Sequence, residues 1–213
     1  MSEGKIEFGT TLRSPYDVAR LARQIETLGF DILGCGEHVS FHGDTANGFI
    51  SLSVAAGATT RIRLMSTITL APLYPAALLA KMGAALDVAS GGRFTLGIGV
   101  GGEFPNEFAA CGVPVKQRGS RTDDALEVIT RTWTQTNVNY QGRYTTLENF
   151  SLKPLPIQKP RPPIWVSGRT DAAMRRAVKY ADGWLPYMYT PEQLAESIAS
   201  IRAYGEEQGR DMS

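Results

Sequence analysis

The sequence predicts an α/β fold in which helices cover a parallel sheet, built from about six βα units in series. Short apolar runs alternate with helical periodicity along almost the whole chain, and glycine or polar residues follow the runs where strands should end. A closed eight-stranded barrel usually takes ~250 residues, whereas this chain has 213. The prediction is therefore a shortened barrel or one that lacks its last two units, and the sequence permits both.

The first half of the chain contains four strand-like runs, at residues 6–8, 30–35, 62–70 and 93–100. The first helix is predicted to start with Ser14 as N-cap and Pro15 at the first helical position, and to end at Gly29. Two more helices are predicted over 50–58 and from Pro75 to Ser90, the latter with one apolar face that includes Leu78.

The second half repeats the alternation after one interruption. A helix is predicted over 118–134, and the stretch 137–163, with a hairpin near 140–144 and several prolines, is interpreted as an excursion from the core. A strand at 164–167, a helix from Thr170 and a strand at 183–188 follow. Thr190 and Gln193 form a capping box around Pro191 that opens the last helix. The whole chain, 1–213, is predicted to be a single domain.

Composition excludes several classes of protein. The net charge is +1 and basic residues are scattered, so no nucleic-acid partner is expected. No stretch approaches the ~18 apolar residues of a membrane span, and no signal-like run opens the sequence. Cys35 and Cys111 lie far apart, as expected for a protein of the reducing cytoplasm. A small-molecule substrate is the expected partner.

Polar groups at predicted strand ends are the candidates for chemistry. His38 follows Glu37 at the end of the second strand and can transfer a proton or orient a ligand, or it can be a structural histidine. Glu103 and Glu107 after the fourth strand can be acid–base groups or surface charges. Metal ligation by Glu37, His38 and neighbouring residues is disfavoured, because the only two histidines share one segment.

Two glycine-containing segments suggest ligand contacts. Gly97, Gly99 and Gly101 alternate with apolar residues, which indicates tight packing or a close approach to a flat ligand. The helix start and third glycine of a dinucleotide fingerprint are missing, so that kind of site is disfavoured. The segment 167–170, Ser-Gly-Arg-Thr, joins a strand to a helix and favours an anion such as phosphate.

Taken together, these motifs resemble the luciferase-like flavin monooxygenase superfamily, and particularly its branch that uses the deazaflavin coenzyme F420. The resemblance covers nearly the whole chain and lies in the order and spacing of several short pieces. They are Gly36-Glu37-His38, the segments 70–81 and 86–101, Glu107-Phe108, Arg118-Gly119, the segment 162–166 and Ala181-Asp182-Gly183-Trp184.

The resemblance implies a TIM-type barrel with a flavin-like ring at the carboxyl ends of the strands. It implies a cis peptide between non-proline residues at Thr67-Ile68, with Ser66-Thr67 as the neighbouring alternative. His38 would position substrate or shuttle a proton, with Glu37 beside the ring and Glu103 as a second acid or base. The cofactor-binding residues would be Thr67, Ile68, Gly99, Val100, Gly101 and Asn106, and the phosphate-binding residues Ser167, Gly168 and Arg169.

The function implied is an oxidoreductase that moves a hydride between F420 and a small organic substrate. An FMN-dependent monooxygenase is the alternative cofactor class, and a non-catalytic flavin-binding protein is the alternative of another kind. A metal-dependent barrel hydrolase is the third hypothesis. A homodimer through the outer helices is also an expectation from the resemblance.

Overall fold

Strands and helices alternate along residues 6–211, the part of the chain that the computed structural model describes. The strands are β1 (Gly9–Thr11), β2 (Ile32–Cys35), β3 (Arg63–Ser66), β4 (Thr69–Leu70), β5 (Phe94–Gly99), β6 (Val138–Gln141), β7 (Thr146–Phe150), β8 (Ile164–Ser167) and β9 (Gly183–Leu185). The helices are α1 (Val18–Thr27), α2 (Gly48–Ala58), α3 (Ala76–Ala89), α4 (Pro105–Ala110), α5 (Arg118–Thr134), α6 (Asp171–Tyr180) and α7 (Pro191–Glu207). Short 3-10 turns at Ala71–Leu73 and Val115–Gln117 precede α3 and α5.

The sheet is a parallel half-barrel, which confirms the predicted fold class. Its strand order is β1-β2-β3-β5-β8-β9, with β4 also paired to β5. Every pairing in it is parallel. Because all these strands run in one direction, their carboxyl ends meet at one edge of the sheet, where α/β folds bind ligands.

The core lies between the sheet and its helices and is densest where α3 meets α5. Trp133 of α5 is 1% exposed, and its indole N–H donates to the carbonyl of Ala80 at 2.8 Å. A Cβ built on Gly83 would lie 2.6 Å from the Trp133 ring, so only glycine allows this close contact. Leu126 and Ile129 are buried beside it, as predicted.

Helices α2 and α3 adjoin and keep large apolar side chains on their outer faces. Ile50 and Val54 of α2 are 67% and 43% exposed, and Leu78 and Val88 of α3 are 50% and 38% exposed. The prediction that Leu78 faces inward was therefore wrong. Leu79 next to it is the buried residue.

The predicted excursion is a separate antiparallel hairpin, β6–β7, that lies against α5. The Tyr140 hydroxyl donates to Asp124 at 3.1 Å. Val138 and Leu147 belong to the same buried cluster as the sheet. Further on, the fully buried carboxylate of Asp87 accepts hydrogen bonds from the backbone N–H groups of residues 157 and 158.

Glu26 fastens α1 to the start of β3. Its carboxylate accepts from the backbone N–H groups of Thr60, Arg61 and Ile62, at distances down to 2.8 Å. Burial opposes ionisation of this group, but the three donors favour the charged form more strongly. The pKa of Glu26 is therefore lowered.

Three local predictions were wrong. Helix α1 begins at Val18, because the Ser14 hydroxyl accepts from the N–H of Tyr16 and so closes a turn before the helix. The first strand is Gly9–Thr11 rather than residues 6–8. The predicted third strand is divided into β3 and β4 by the peptide Thr67-Ile68. Helix α4 has no counterpart in the prediction.

Candidate active site

A cavity of about 580 Å³ opens at the carboxyl edge of the sheet. Its walls come from the segments that follow β1, β2, β3, β5, β8 and β9. Most of the predicted site residues line it: Glu37, His38, Thr67, Ile68, Gly99, Val100, Gly101, Glu103, Ser167 and Gly168. The structure thus brings together residues that the sequence places at four separate strand ends.

Two predicted residues do not line the cavity. Asn106 lies on α4 with its side chain exposed. Arg169 is also exposed, and its guanidinium lies 4.7 Å from the ring centre of Tyr187, which is itself a lining residue. Arg169 is therefore adjacent to the cavity through Tyr187, whereas the structure gives Asn106 no such contact.

His38 is held by a buried carboxylate that the site prediction did not select. Its Nδ1 lies 3.3 Å from both oxygens of Glu107, which is 1% exposed. The N–H of Val39 donates to the same carboxylate at 3.1 Å. Because an ionised carboxylate can only accept, Nδ1 carries the proton that faces Glu107, and in the neutral imidazole the lone pair is then on Nε2. Glu107, one helical turn beyond Glu103, is thus the acid paired with His38.

The ring plane of His38 is fixed by aromatic neighbours. Phe41 stacks on the imidazole with ring centres 4.1 Å apart and planes inclined by 13°. Phe104, at the start of α4, lies 4.7 Å from Phe41, and His42 packs edge-on against Phe104. His42 is therefore part of the support behind His38 and not a lining residue. Glu103 is exposed at the cavity mouth, 3.5 Å from the Tyr187 hydroxyl.

Glu37 is buried beneath the cavity, and both of its oxygens accept hydrogen bonds. The N–H of Leu70 donates to Oε1 at 3.0 Å, and the Tyr74 hydroxyl donates to Oε2 at 2.9 Å. The N–H of Gly48, the first residue of α2, donates to Oε2 at 3.3 Å. Burial raises the pKa of Glu37, although these donors oppose the shift. The Tyr74 pKa is raised well above its ordinary value by burial and by the Glu37 carboxylate.

The peptide between Thr67 and Ile68 is cis, as the resemblance implies. It lies in the cavity wall, and two glycines make room for it, one just after β2 and one at the end of β5. A Cβ on Gly36 would lie 2.9 Å from the Thr67 carbonyl oxygen. A Cβ on Gly99 would lie 2.0 Å from Cδ1 of Ile68. These glycines therefore let the Thr67-Ile68 segment sit between β2 and β5.

The predicted anion site lies at the turn from β8 into α6. Gly168 has φ +144°, and a Cβ there would lie 2.5 Å from that of Ala173. The Thr170 hydroxyl accepts from the N–H of Ala173 and caps α6, and Asp171 places a negative charge in its first turn. Arg169 lies within this turn and supplies its positively charged side chain.

Two further features concern membrane-spanning helices and metal-binding groups. None of the helices between residues 6 and 211 is long and apolar enough to cross a membrane. Over the same range, no three or more His, Cys, Asp or Glu side chains form a group that could hold a metal ion.

Comparison with known proteins gives a consistent family. A family model described as luciferase-like monooxygenase matches residues 4–213. An uncharacterised protein of Mycobacterium tuberculosis is 34% identical over 160 residues, which are 75% of this chain and 54% of that protein. An FMNH2-dependent dimethylsulfone monooxygenase of Pseudomonas putida is 29% identical over 205 residues, or 93% of this chain and 56% of that enzyme. This chain thus spans about half the length of the curated relatives it matches.

A solved structure agrees with the fold. An F420-dependent secondary alcohol dehydrogenase, in complex with an F420-acetone adduct, superposes with a TM-score of 0.86 at 26% identity. The match covers 97% of this chain and 66% of that one.

Proposed function

Because the chain belongs to the luciferase-like monooxygenase family, we propose that it is an oxidoreductase that transfers a hydride between coenzyme F420 and a small organic substrate. The observation that carries the proposal is a cavity whose lining includes Thr67, Ile68, the glycine end of β5 and His38, which is paired with the buried Glu107. The F420-dependent secondary alcohol dehydrogenase is the neighbour that favours this cofactor.

The cavity suits a flat, partly apolar cofactor. Its volume of about 580 Å³ lies within the range of about 300–1,000 Å³ usual for ligand pockets. Ile68, Leu70, Val100 and Leu185 supply apolar walls. Ile68 already fills the space beside Gly99, where a Cβ would lie 2.0 Å from its Cδ1. Thr67, Ile68, Gly99, Val100 and Gly101 would therefore hold the ring, and Ser167, Gly168 and Arg169 would hold the phosphate.

Bound F420 would supply two-electron hydride transfer, and the protein's own residues would manage the proton. Glu107 holds the Nδ1–H of His38, so Nε2 is the nitrogen that can accept a proton from a substrate hydroxyl or return one to a carbonyl. We propose His38 as the catalytic base and Glu107 as the residue that fixes its tautomer.

FMN is the second candidate cofactor, favoured by the likeness to the Pseudomonas putida monooxygenase over 93% of this chain. Parallel fluorescence titrations of the purified protein with F420 and FMN test the proposal. Tighter binding of F420 supports hydride transfer, and tighter binding of FMN moves the protein to the monooxygenase class. Saturable binding of neither cofactor would contradict both, and would favour the interpretation that this chain is not a working flavin enzyme.

A further inference from the structure

We infer that Glu37 is a positioning residue that holds the floor of the cavity in place, rather than a group that exchanges protons with the substrate. This floor consists of Ile68 and the end of β5. That it carries a cofactor ring rests on the proposed function, whereas the positioning role of Glu37 rests on its own hydrogen bonds. Glu37 itself lies two residues after the end of β2, next to Gly36.

One carboxylate joins three segments that are far apart in the sequence. The Leu70 N–H belongs to β4, the Tyr74 hydroxyl to the turn before α3, and the Gly48 N–H to the start of α2. All three donors point at the two oxygens of a side chain that is only 8% exposed overall. With both oxygens occupied, Glu37 has little acceptor capacity left for a ligand, although it lines the cavity.

The hydrogen bond from the Leu70 N–H connects Glu37 to the cavity floor, because Leu70 belongs to β4. This strand is only two residues long and pairs Thr69 with Ile98 and Leu70 with Gly99. Ile68, immediately before β4, projects over Gly99, where a Cβ would lie 2.0 Å from its Cδ1. A displacement of Leu70 would therefore shift Ile68 relative to Gly99 and change the surface on which the proposed ring lies.

The alternative is that Glu37, which the resemblance places beside the ring, takes a catalytic part as an acid or base. The two roles predict different effects of the substitution Glu37→Gln. Glutamine keeps an acceptor for the Leu70 N–H and can donate to the Tyr74 hydroxyl oxygen, and it loses only the long bond from the Gly48 N–H. It cannot transfer a proton at neutral pH. Alanine removes every acceptor and leaves buried donors without partners, which is costly. A positioning role therefore predicts rescue by glutamine, whereas proton transfer predicts none.

The test compares Glu37→Ala, Glu37→Gln and Tyr74→Phe with Asp87→Ala as a matched control. Asp87 is likewise a buried acid with several hydrogen bonds, but its partners are residues 157 and 158. The side chain of Gln158 also donates to the carbonyl of Phe94, at the start of β5. Four quantities are measured for each variant: the Kd for F420 and FMN, hydrogen exchange of the peptide covering residues 67–74, thermal stability, and turnover of F420 with a simple secondary alcohol.

We expect Glu37→Ala to raise the Kd by about tenfold or more, the scale of one lost charge-assisted hydrogen bond. It should also speed exchange over 67–74, while Glu37→Gln stays within about threefold of wild-type affinity. Asp87→Ala should lower the melting temperature without changing the cofactor Kd or the hydrogen exchange of residues 67–74. If Glu37→Ala cannot be purified, Tyr74→Phe should show a smaller change of the same kind.

Two results would overturn the inference. One is unchanged exchange and affinity in Glu37→Ala. The other is a Glu37→Gln variant that binds cofactor normally but loses turnover as completely as the alanine variant. If wild-type protein binds neither cofactor, the proposed function fails. The exchange of residues 67–74, measured without ligand, then decides the positioning role alone.

Discussion

Replacement of Glu107 by glutamine tests the His38–Glu107 pair without removing the hydrogen-bonding shape of the site. The wild-type carboxylate accepts from the N–H of Val39 and from Nδ1 of His38. An amide keeps one acceptor and turns an NH2 group toward the other partner. If the amide oxygen stays with Val39, the NH2 faces Nδ1, which must then accept. The proton of His38 consequently moves to Nε2, and the proposed base loses its lone pair.

The expected loss of stability follows from the charge that disappears. Both hydrogen bonds remain in the glutamine variant, but neither is to a charged group. A hydrogen bond to a charged group contributes about 1.5–3 kcal/mol and a neutral one about 0.5–1.5 kcal/mol, and Glu107 is 1% exposed, so we expect a loss of about 1 kcal/mol. For a chain of about this length that is roughly 2–4 °C in melting temperature. Turnover should fall about 100-fold, the lower range for acid–base catalysis, while cofactor affinity is kept.

The tautomer can be measured without knowing the substrate. Long-range ¹H–¹⁵N correlation spectra of the imidazoles distinguish a protonated Nδ1 from a protonated Nε2, and the chain has only two histidines to assign. His42→Ala identifies the second set of signals. A spectrum of Glu107→Gln identical to that of the wild type, together with an unchanged melting temperature, would refute the reasoning. Loss of turnover in Glu103→Gln but not in Glu107→Gln would instead support the original prediction for Glu103.

Four further predictions can be checked with single variants. Gly99→Val should raise the cofactor Kd at least about tenfold, because its Cβ displaces Ile68 into the cavity; unchanged affinity in the titration would place the ring elsewhere. Arg169→Ala should raise the Kd of a phosphorylated cofactor by about tenfold and leave the Kd of its dephosphorylated analogue unchanged. Equal losses of affinity for both would exclude a phosphate contact. Glu26→Gln should cost about 1 kcal/mol at pH 7. Since the folded pKa of Glu26 is lowered, its contribution is present above the unfolded value near 4.3 and is lost as the pH falls through the folded value. Denaturation curves of wild type and variant should therefore converge in acid, and a constant difference would contradict the assignment. Finally, if the expected homodimer forms through the exposed faces of α2 and α3, Ile50→Glu should give monomers in light scattering, and an unchanged mass would exclude that face.

Regular elements could be predicted well because their signals are local. The apolar period of α5 gives its observed bounds, and the run at β8 does the same. The capping box of Thr190 and Gln193 is present as predicted, with both hydrogen bonds formed. Each of these patterns lies within one continuous segment of the sequence, so no tertiary contact is needed to interpret it.

Ser14 shows where local patterns fail. A serine followed by proline is typical of a helix start, but here its hydroxyl bonds to the N–H two residues on and stabilises a turn. Both conformations satisfy the same side chain locally. Which one forms depends on the path that the chain takes from β1 to α1, and the sequence does not record that path.

The choice between Glu103 and Glu107 depends on tertiary geometry. Both follow the glycine strand, and the sequence analysis considered both as acids. Glu107 reaches His38, 69 residues earlier in the chain, only because α4 turns it inward. That short helix was not predicted. The spacing of the glycines predicted residues of the cavity wall, but only the structure identifies Glu107 as the partner of His38.

A crystal structure of the protein with whichever cofactor it binds more tightly tests the central claim most directly. We predict electron density for the ring against Thr67, Ile68 and Gly99, with the imidazole of His38 on the substrate side and its Nδ1 still bonded to Glu107. A ring bound outside this cavity, or inside it without contact to the Thr67-Ile68 segment, would contradict the proposed site and the roles assigned to its residues.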